Sequence, residues 1–139
     1  MPLTGATILQ VIPHLGAGGA ERTTIEVAEA LSAAGATPLV ASVGGRLEGE
    51  LTRAGGELIR IDSLATKNPL QVWLNAGALA KIARERGVKL IHARSRAPAW
   101  SAYWAAKRMK LPFVTTYHGV YNAKTGLKRW YNSVMARGD

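Results

Sequence analysis

Apolar residues in this chain change rhythm repeatedly, and that alternation constrains the fold more than any other feature. Short continuous runs are followed by stretches at helical spacing. The run from Ala6 to Ile12 reads as a buried strand bounded by Pro13 and a glycine cluster. From about Ala20 to Ala34, Thr24, Val27, Ala28 and Leu31 share one helical face, and Gly35 supplies the stop. Pro38 to Val43 is a second strand, Leu47, Leu51 and Ala54 mark a short helix, and Glu57 to Ile61 is a third strand. Asn68 and Pro69 read as N-cap and first helical position, after which Leu70, Leu74, Ala78 and Ile82 recur every four residues until Gly87. Lys89 to Ala93 is the fourth strand. Pro98 opens a helix whose Ala99, Ala102, Tyr103 and Ala106 share a face, and Leu111 to Tyr117 is the fifth strand, ended by Gly119. A last helix spans roughly residues 125–136, with Leu127, Trp130, Tyr131 and Val134 at helical spacing.

Five strands alternating with helices predict an α/β fold, a doubly wound parallel sheet with right-handed crossovers. At 139 residues there is room for one such domain. A doubly wound chain that stops just after a helix is expected to continue, so residues 1–139 read as a truncated domain.

Composition narrows the class further. With 47% apolar residues and a mean hydropathy of +0.01 the chain is not a disordered tail. No uncharged apolar run reaches about 18 residues, which excludes a membrane-spanning helix. Met1 to Gln10 lacks the basic and apolar regions of a secretory signal, so a cytoplasmic location is expected. The absence of cysteine excludes disulfides and thiolate chemistry. Net charge is +9, and it is divided unevenly. Residues 1–80 carry five basic and seven acidic side chains, whereas residues 81–139 carry thirteen basic and two acidic. The second half seeks an anionic partner: nucleic acid, a phosphorylated small molecule or an acidic membrane surface.

In a doubly wound sheet strand one lies beside strand four and strand five beside four, with ligands beyond their carboxyl ends. Three loops then become neighbours: His14 to Arg22, Arg94 to Pro98, and Tyr117 to Tyr121. In the first, Gly16, Gly18 and Gly19 lead into a helix, the arrangement that lets an anion approach N-terminal amides. A dinucleotide fingerprint would need glycine in place of Glu21 and an acid after strand two, and a P-loop would need Gly-Lys-Ser/Thr; neither is present. A nicotinamide-dependent oxidoreductase is disfavoured accordingly. Arg94 and Arg96 flank Ser95, and the planar guanidinium fork suits phosphate or carboxylate. His118, flanked by Tyr117, is placed to donate a hydrogen bond, act as a base or polarise a ligand oxygen. His92 lies inside its strand and reads as a packed core residue; His14 is a loop histidine without a partner. No His or carboxylate pair has metal-ligand spacing, so no metal is expected. Trp100, Trp104 and Arg108 fall at i, i+4 and i+8, a stripe more typical of packing, while Lys124, Lys128 and Arg129 beside Trp130 and Tyr131 suit an anionic membrane interface.

The segments Ile8 to Arg22, Glu26 to Leu31, Leu90 to Trp100 and Val114 to Tyr121 together resemble the N-terminal domain of glycosyltransferase family 4, nearest to members acting in lipopolysaccharide and cell-envelope assembly. The resemblance implies a Rossmann-like domain forming the acceptor-side half of a GT-B enzyme. It further implies a retaining, metal-free transfer from a nucleotide-diphospho-sugar to a glycan or lipid acceptor, with no cofactor. By this analogy Gly16, Gly18 and Gly19 approach the donor phosphates, His118 is the catalytic residue near the transferred sugar, and Arg94, Ser95, Arg96 and Tyr117 shape the acceptor side. Lys124, Lys128 and Arg129 would meet a membrane or acceptor surface at the inner face of the cell membrane. The family's C-terminal domain, which holds the nucleotide, is absent from these residues, so the fragment alone is expected to be inactive. The competing reading is a basic α/β module that binds nucleic acid or another anionic partner. No helix-turn-helix or RNA-binding motif accompanies the charge, which ranks it second.

Overall fold

A computed structural model describes residues 3–116 together with Val134 and Arg137. Its elements are β1 (Thr7–Val11), α1 (Gly19–Ala33), β2 (Thr37–Ser42), α2 (Glu48–Arg53), β3 (Glu57–Arg60), α3 (Pro69–Arg86), β4 (Val88–Ala93), α4 (Arg96–Met109) and β5 (Phe113–Thr115). The strands form one sheet in the order β3-β2-β1-β4-β5, and every neighbouring pair is parallel. This is the predicted doubly wound arrangement, with β1 between β2 and β4. The expected final helix, residues 125–136, lies outside the described residues apart from Val134.

The strands are apolar on both faces because both are covered. On one side Leu9, Val11, Leu39, Ala41, Ile91 and Ala93 pack against Val72, Leu79, Ala83 and Trp100 from α3 and α4. On the other Ile12, Val40 and Leu15 meet Ile25 and Ala28 of α1 and Leu51 of α2. In α1 the buried residues are Thr24, Ile25 and Ala28, so Ile25 takes the place expected for Val27 and Leu31, which are half-buried. Alanines at 99, 102, 105 and 106 are buried in α4, and such small side chains let neighbouring elements approach closely.

Helix α3 has the predicted ends and a different face. Asn68 Oδ1 accepts from the amides of Leu70 (3.0 Å) and Gln71 (3.2 Å), Pro69 takes the first position, and left-handed Gly87 closes the helix. The stripe expected at Leu70, Leu74, Ala78 and Ile82 is not the buried one. Leu70 and Leu74 are 68% and 54% exposed, Ala78 is exposed, and Val72, Ala76, Leu79, Ala80 and Ala83 face the core instead. Residues four apart advance about 40° per step around a helix of 3.6 residues per turn, so a row of that period cannot hold one face.

Helix α4 starts at Arg96, earlier than the expected opening at Pro98. Ser95 is an extended N-cap, which puts Pro98 at the third helical position. A proline is tolerated there because the first amides of a helix have no intrahelical acceptor.

Candidate functional site

The order of the strands reverses direction between β1 and β4, and the carboxyl ends of these two strands define the switch point where ligands of doubly wound folds collect. Val11 pairs with Ala93, the Arg94 amide donates to the Val11 carbonyl at 3.0 Å, and the Thr116 amide donates to the Ala93 carbonyl at 3.2 Å. The loops after β1 and β4 are therefore adjacent, and the chain leaving β5 begins beside them. Tyr117 and His118, predicted for that third loop, lie outside the described residues, as do Lys124, Lys128 and Arg129.

The loop after β1 is fastened to the loop after β2. The Leu15 amide donates to the Gly44 carbonyl (3.1 Å), the Leu15 carbonyl accepts from Leu47 (2.9 Å), and the Val43 amide donates to Pro13 (2.8 Å). A Cβ on Gly45 would collide with the Leu15 backbone, so this contact requires glycine. Fully buried Leu15 anchors the segment, leaving Gly16, Gly18 and Gly19 at the rim.

The three glycines differ in what their missing side chains permit. Gly18 is the extended N-cap of α1, and its amide donates to Glu21 Oε2 at 3.0 Å. A Cβ on Gly18 would lie 2.9 Å from that oxygen, and one on Gly16 3.3 Å from it, so the Glu21 carboxylate folds over both. The carboxylate thus sits at the positive end of the α1 dipole, over the N-cap amide. Gly19 has open space around it, with nothing within 4 Å of a Cβ. It is the glycine around which the first turn of α1 stays clear.

Arg94 is the site's most unusual residue. It is only 3% exposed, and its Nε donates to Gln10 Oε1 at 2.9 Å. Gln10 is itself fully buried in β1, and its Nε2 donates to the Thr24 carbonyl of α1 at 3.2 Å. No ion pair joins Arg94 to a carboxylate among the described residues. Burial pushes the guanidinium below its ordinary pKa, since low polarity disfavours the charged form. The sequence reading singles out Arg94 and not Gln10. The signal available was a glutamine interrupting an otherwise apolar strand. Ser95 is half-buried and makes no side-chain capping bond, while Arg96 contributes the first residue of α4, its side chain lying outside the described set. His14 is exposed; His92 is half-buried, its Nε2 2.6 Å from Thr116 Oγ1, rather than packed in the core as expected.

Among the described residues no group of three His, Asp or Glu side chains is arranged to hold a metal, and no helix is long and apolar enough to cross a membrane. Trp100 is buried, as packing predicts, and continues outward through Trp104 (5.4 Å between rings) to Trp73 (5.5 Å). Trp73 is 51% exposed beside Leu70 and Leu74, with the Arg108 guanidinium 5.6 Å above its ring. A cavity of about 370 Å³ lined by Tyr103, Lys107, Lys110, Phe113 and Arg137 lies at the far end of α4 from the switch point, and is not part of this site.

The architecture recurs in solved structures. A glycosyltransferase from Rickettsia africae ESF-5 aligns with a TM-score of 0.80 and 47% identity, over 94% of this chain and 34% of its own. The present chain thus spans about a third of that protein's length. The glycotransferase of kitacinnamycin aligns at 0.56 with 17% identity, covering 95% of this chain and 34% of its own. The C-terminal domain of a Pyrococcus furiosus hydrogenase aligns at 0.59 with 13% identity, over 83% of this chain and 94% of that domain. These last two likenesses concern the fold alone. Among curated proteins none matches. Residues 17–139 match the family model for Glycosyltransferase Family 4, and the chain belongs to that family.

Proposed function

We propose that this chain is the acceptor-side domain of a GT-B glycosyltransferase that moves a sugar, with retention and without a metal, from a nucleotide-diphospho-sugar to a glycan or lipid acceptor of the cell envelope. The observation that supports this best is the pairing at one edge of an unobstructed turn at Gly19 with a buried cation, Arg94, that has no carboxylate partner among the described residues. Transfer from such a donor places positive charge on the sugar ring and negative charge on the departing phosphate. Fixed amides and cations facing the phosphate stabilise that separation without reorganising. In this reading Gly16, Gly18 and Gly19 border the donor phosphates, Arg94, Ser95, Arg96 and Tyr117 border the acceptor, and His118 approaches the transferred sugar. A second domain supplies the nucleotide site, and the fragment alone is inactive.

The same reading places the protein at an anionic membrane surface on the cytoplasmic side. Support comes from the exposed row Leu70, Trp73 and Leu74 with Arg108 against it, an apolar and aromatic patch edged by positive charge. Lys124, Lys128 and Arg129, outside the described residues, would meet the same membrane in this reading.

The test is release of nucleoside diphosphate from nucleotide-diphospho-sugars by the two-domain protein, with and without a chelator. His118→Ala and Gly19→Val are each expected to lower kcat/KM about 100-fold or more, which is about 2.7 kcal/mol of transition-state stabilisation. Unchanged kcat/KM in both variants would remove the site assignment, and loss of activity on chelation would remove the metal-free mechanism.

A further inference from the structure

Arg94 is held in place by an uncharged side chain, the amide of Gln10. Its Nε bonds the Gln10 amide oxygen, and the Gln10 amide nitrogen is committed to the Thr24 carbonyl, so the orientation of the amide is fixed by both neighbours. One buried polar side chain, Gln10, thus holds a cation that no described carboxylate offsets; a glutamate there would neutralise it but would turn a carboxylate oxygen toward the Thr24 carbonyl. An unpaired buried charge opposes folding, because it gives up hydration without gaining a counter-ion. A ligand that brings the missing negative charge reverses that penalty on binding.

We propose that Gln10 is a positioning residue that keeps Arg94 uncompensated, so that the guanidinium receives an oxyanion, phosphate or carboxylate, carried by the ligand at the β1/β4 edge. The inference deepens the glycosyltransferase reading and rests on it for the placement of a charged ligand at this edge. Neutrality at position 10 is the determinant: it holds the fork by a hydrogen bond while leaving its full charge available. Arg94 is linked to α1 through Gln10 at the Thr24 carbonyl, and its own backbone belongs to the loop after β4. The oxyanion therefore has two sources, the donor diphosphate or an acidic group on the acceptor.

The protein labelled with ¹⁵N is titrated separately with inorganic pyrophosphate, glycerol phosphate and methyl glucuronide, and the Arg94 Nε–H resonance is followed by NMR. At least one probe is expected to shift that resonance saturably at millimolar concentration. Pyrophosphate alone points to the donor, and either of the others to an acidic acceptor. Gln10→Glu is expected to weaken the effective probe at least tenfold. A resonance that no probe moves overturns the proposal, as does a Gln10→Glu protein that binds as tightly as the parent. The titration of the unmodified protein stands even where the variant does not fold. Nucleotide-sugar turnover is read independently on the two-domain protein: Gln10-dependent anion binding without sugar transfer there would discard the glycosyltransferase reading and keep this one.

Discussion

Two regions of the molecule treat positive charge in opposite ways. Around α1, α2, β3 and the end of α3, arginines meet carboxylates at the surface: Arg22 with Glu50, Arg60 with Glu48 (2.7 Å), Arg86 with Glu57 (2.6 Å). Around β4 and α4, Arg94 is buried against an amide, and Arg108 lies over an exposed tryptophan ring. Surface pairs of the first kind contribute little to stability, since water screens them and two long side chains must be ordered. The second kind leaves charge unspent. Under the proposed function, the cations around β4 and α4 are the ones held for an anionic ligand or surface.

The strongest challenge to this contrast is Arg94→Met. Transfer activity is expected to fall about 100-fold or more, while the thermal midpoint changes little, because relief of the buried charge offsets the orphaned Gln10 oxygen. Full activity in a folded Arg94→Met protein would place Arg94 with the merely structural arginines. A smaller effect is expected at the α3 surface, where Trp73→Ser with Leu74→Ser should weaken co-sedimentation with phosphatidylglycerol vesicles several-fold and leave the fold intact, since both residues are exposed. Equal binding by parent and variant would assign that row to another partner.

The smallest effect belongs to the acid-paired region. Hydrogen bonding from Arg86 holds the Glu57 carboxyl below its usual range, although partial burial opposes this. A carboxyl whose pKa is depressed by folding adds stability above its unfolded pKa and loses it as pH falls through the folded value. The folded protein should therefore lose a small increment on acidification below the ordinary carboxylate range, and Glu57→Gln should flatten that part of the stability profile. An identical profile in the variant would show that the pair contributes nothing.

Much of the architecture could be read from the sequence, for reasons visible in particular residues. Apolar strands covered on both sides produce continuous runs, and Asn68-Pro69 and Gly87 mark both ends of α3 chemically. Strand order followed from the general rule for doubly wound sheets. The buried face of α3 did not follow, because leucines four apart resemble a stripe in the chain while rotating away from the core in space. At the site, the glycines and Arg94 were visible as residue types at strand ends. Gln10 was not, since a strand's local pattern does not reveal that its one amide meets a guanidinium from a distant loop. The capping carboxylate of Glu21 was likewise hidden, its position depending on how Gly16 and Gly18 fold beneath it.

The bond between Gln10 and Arg94 joins residues separated by 84 positions. During synthesis the guanidinium pocket cannot close until the fourth strand has left the ribosome and inserted beside the first. Earlier-emerging segments, β1 to β3 with α1 and α2, can pair beforehand across shorter spans. The Gln10–Arg94 contact is thereby a late event in maturation, and slow insertion of β4 would yield a population with secondary structure already formed and this contact missing.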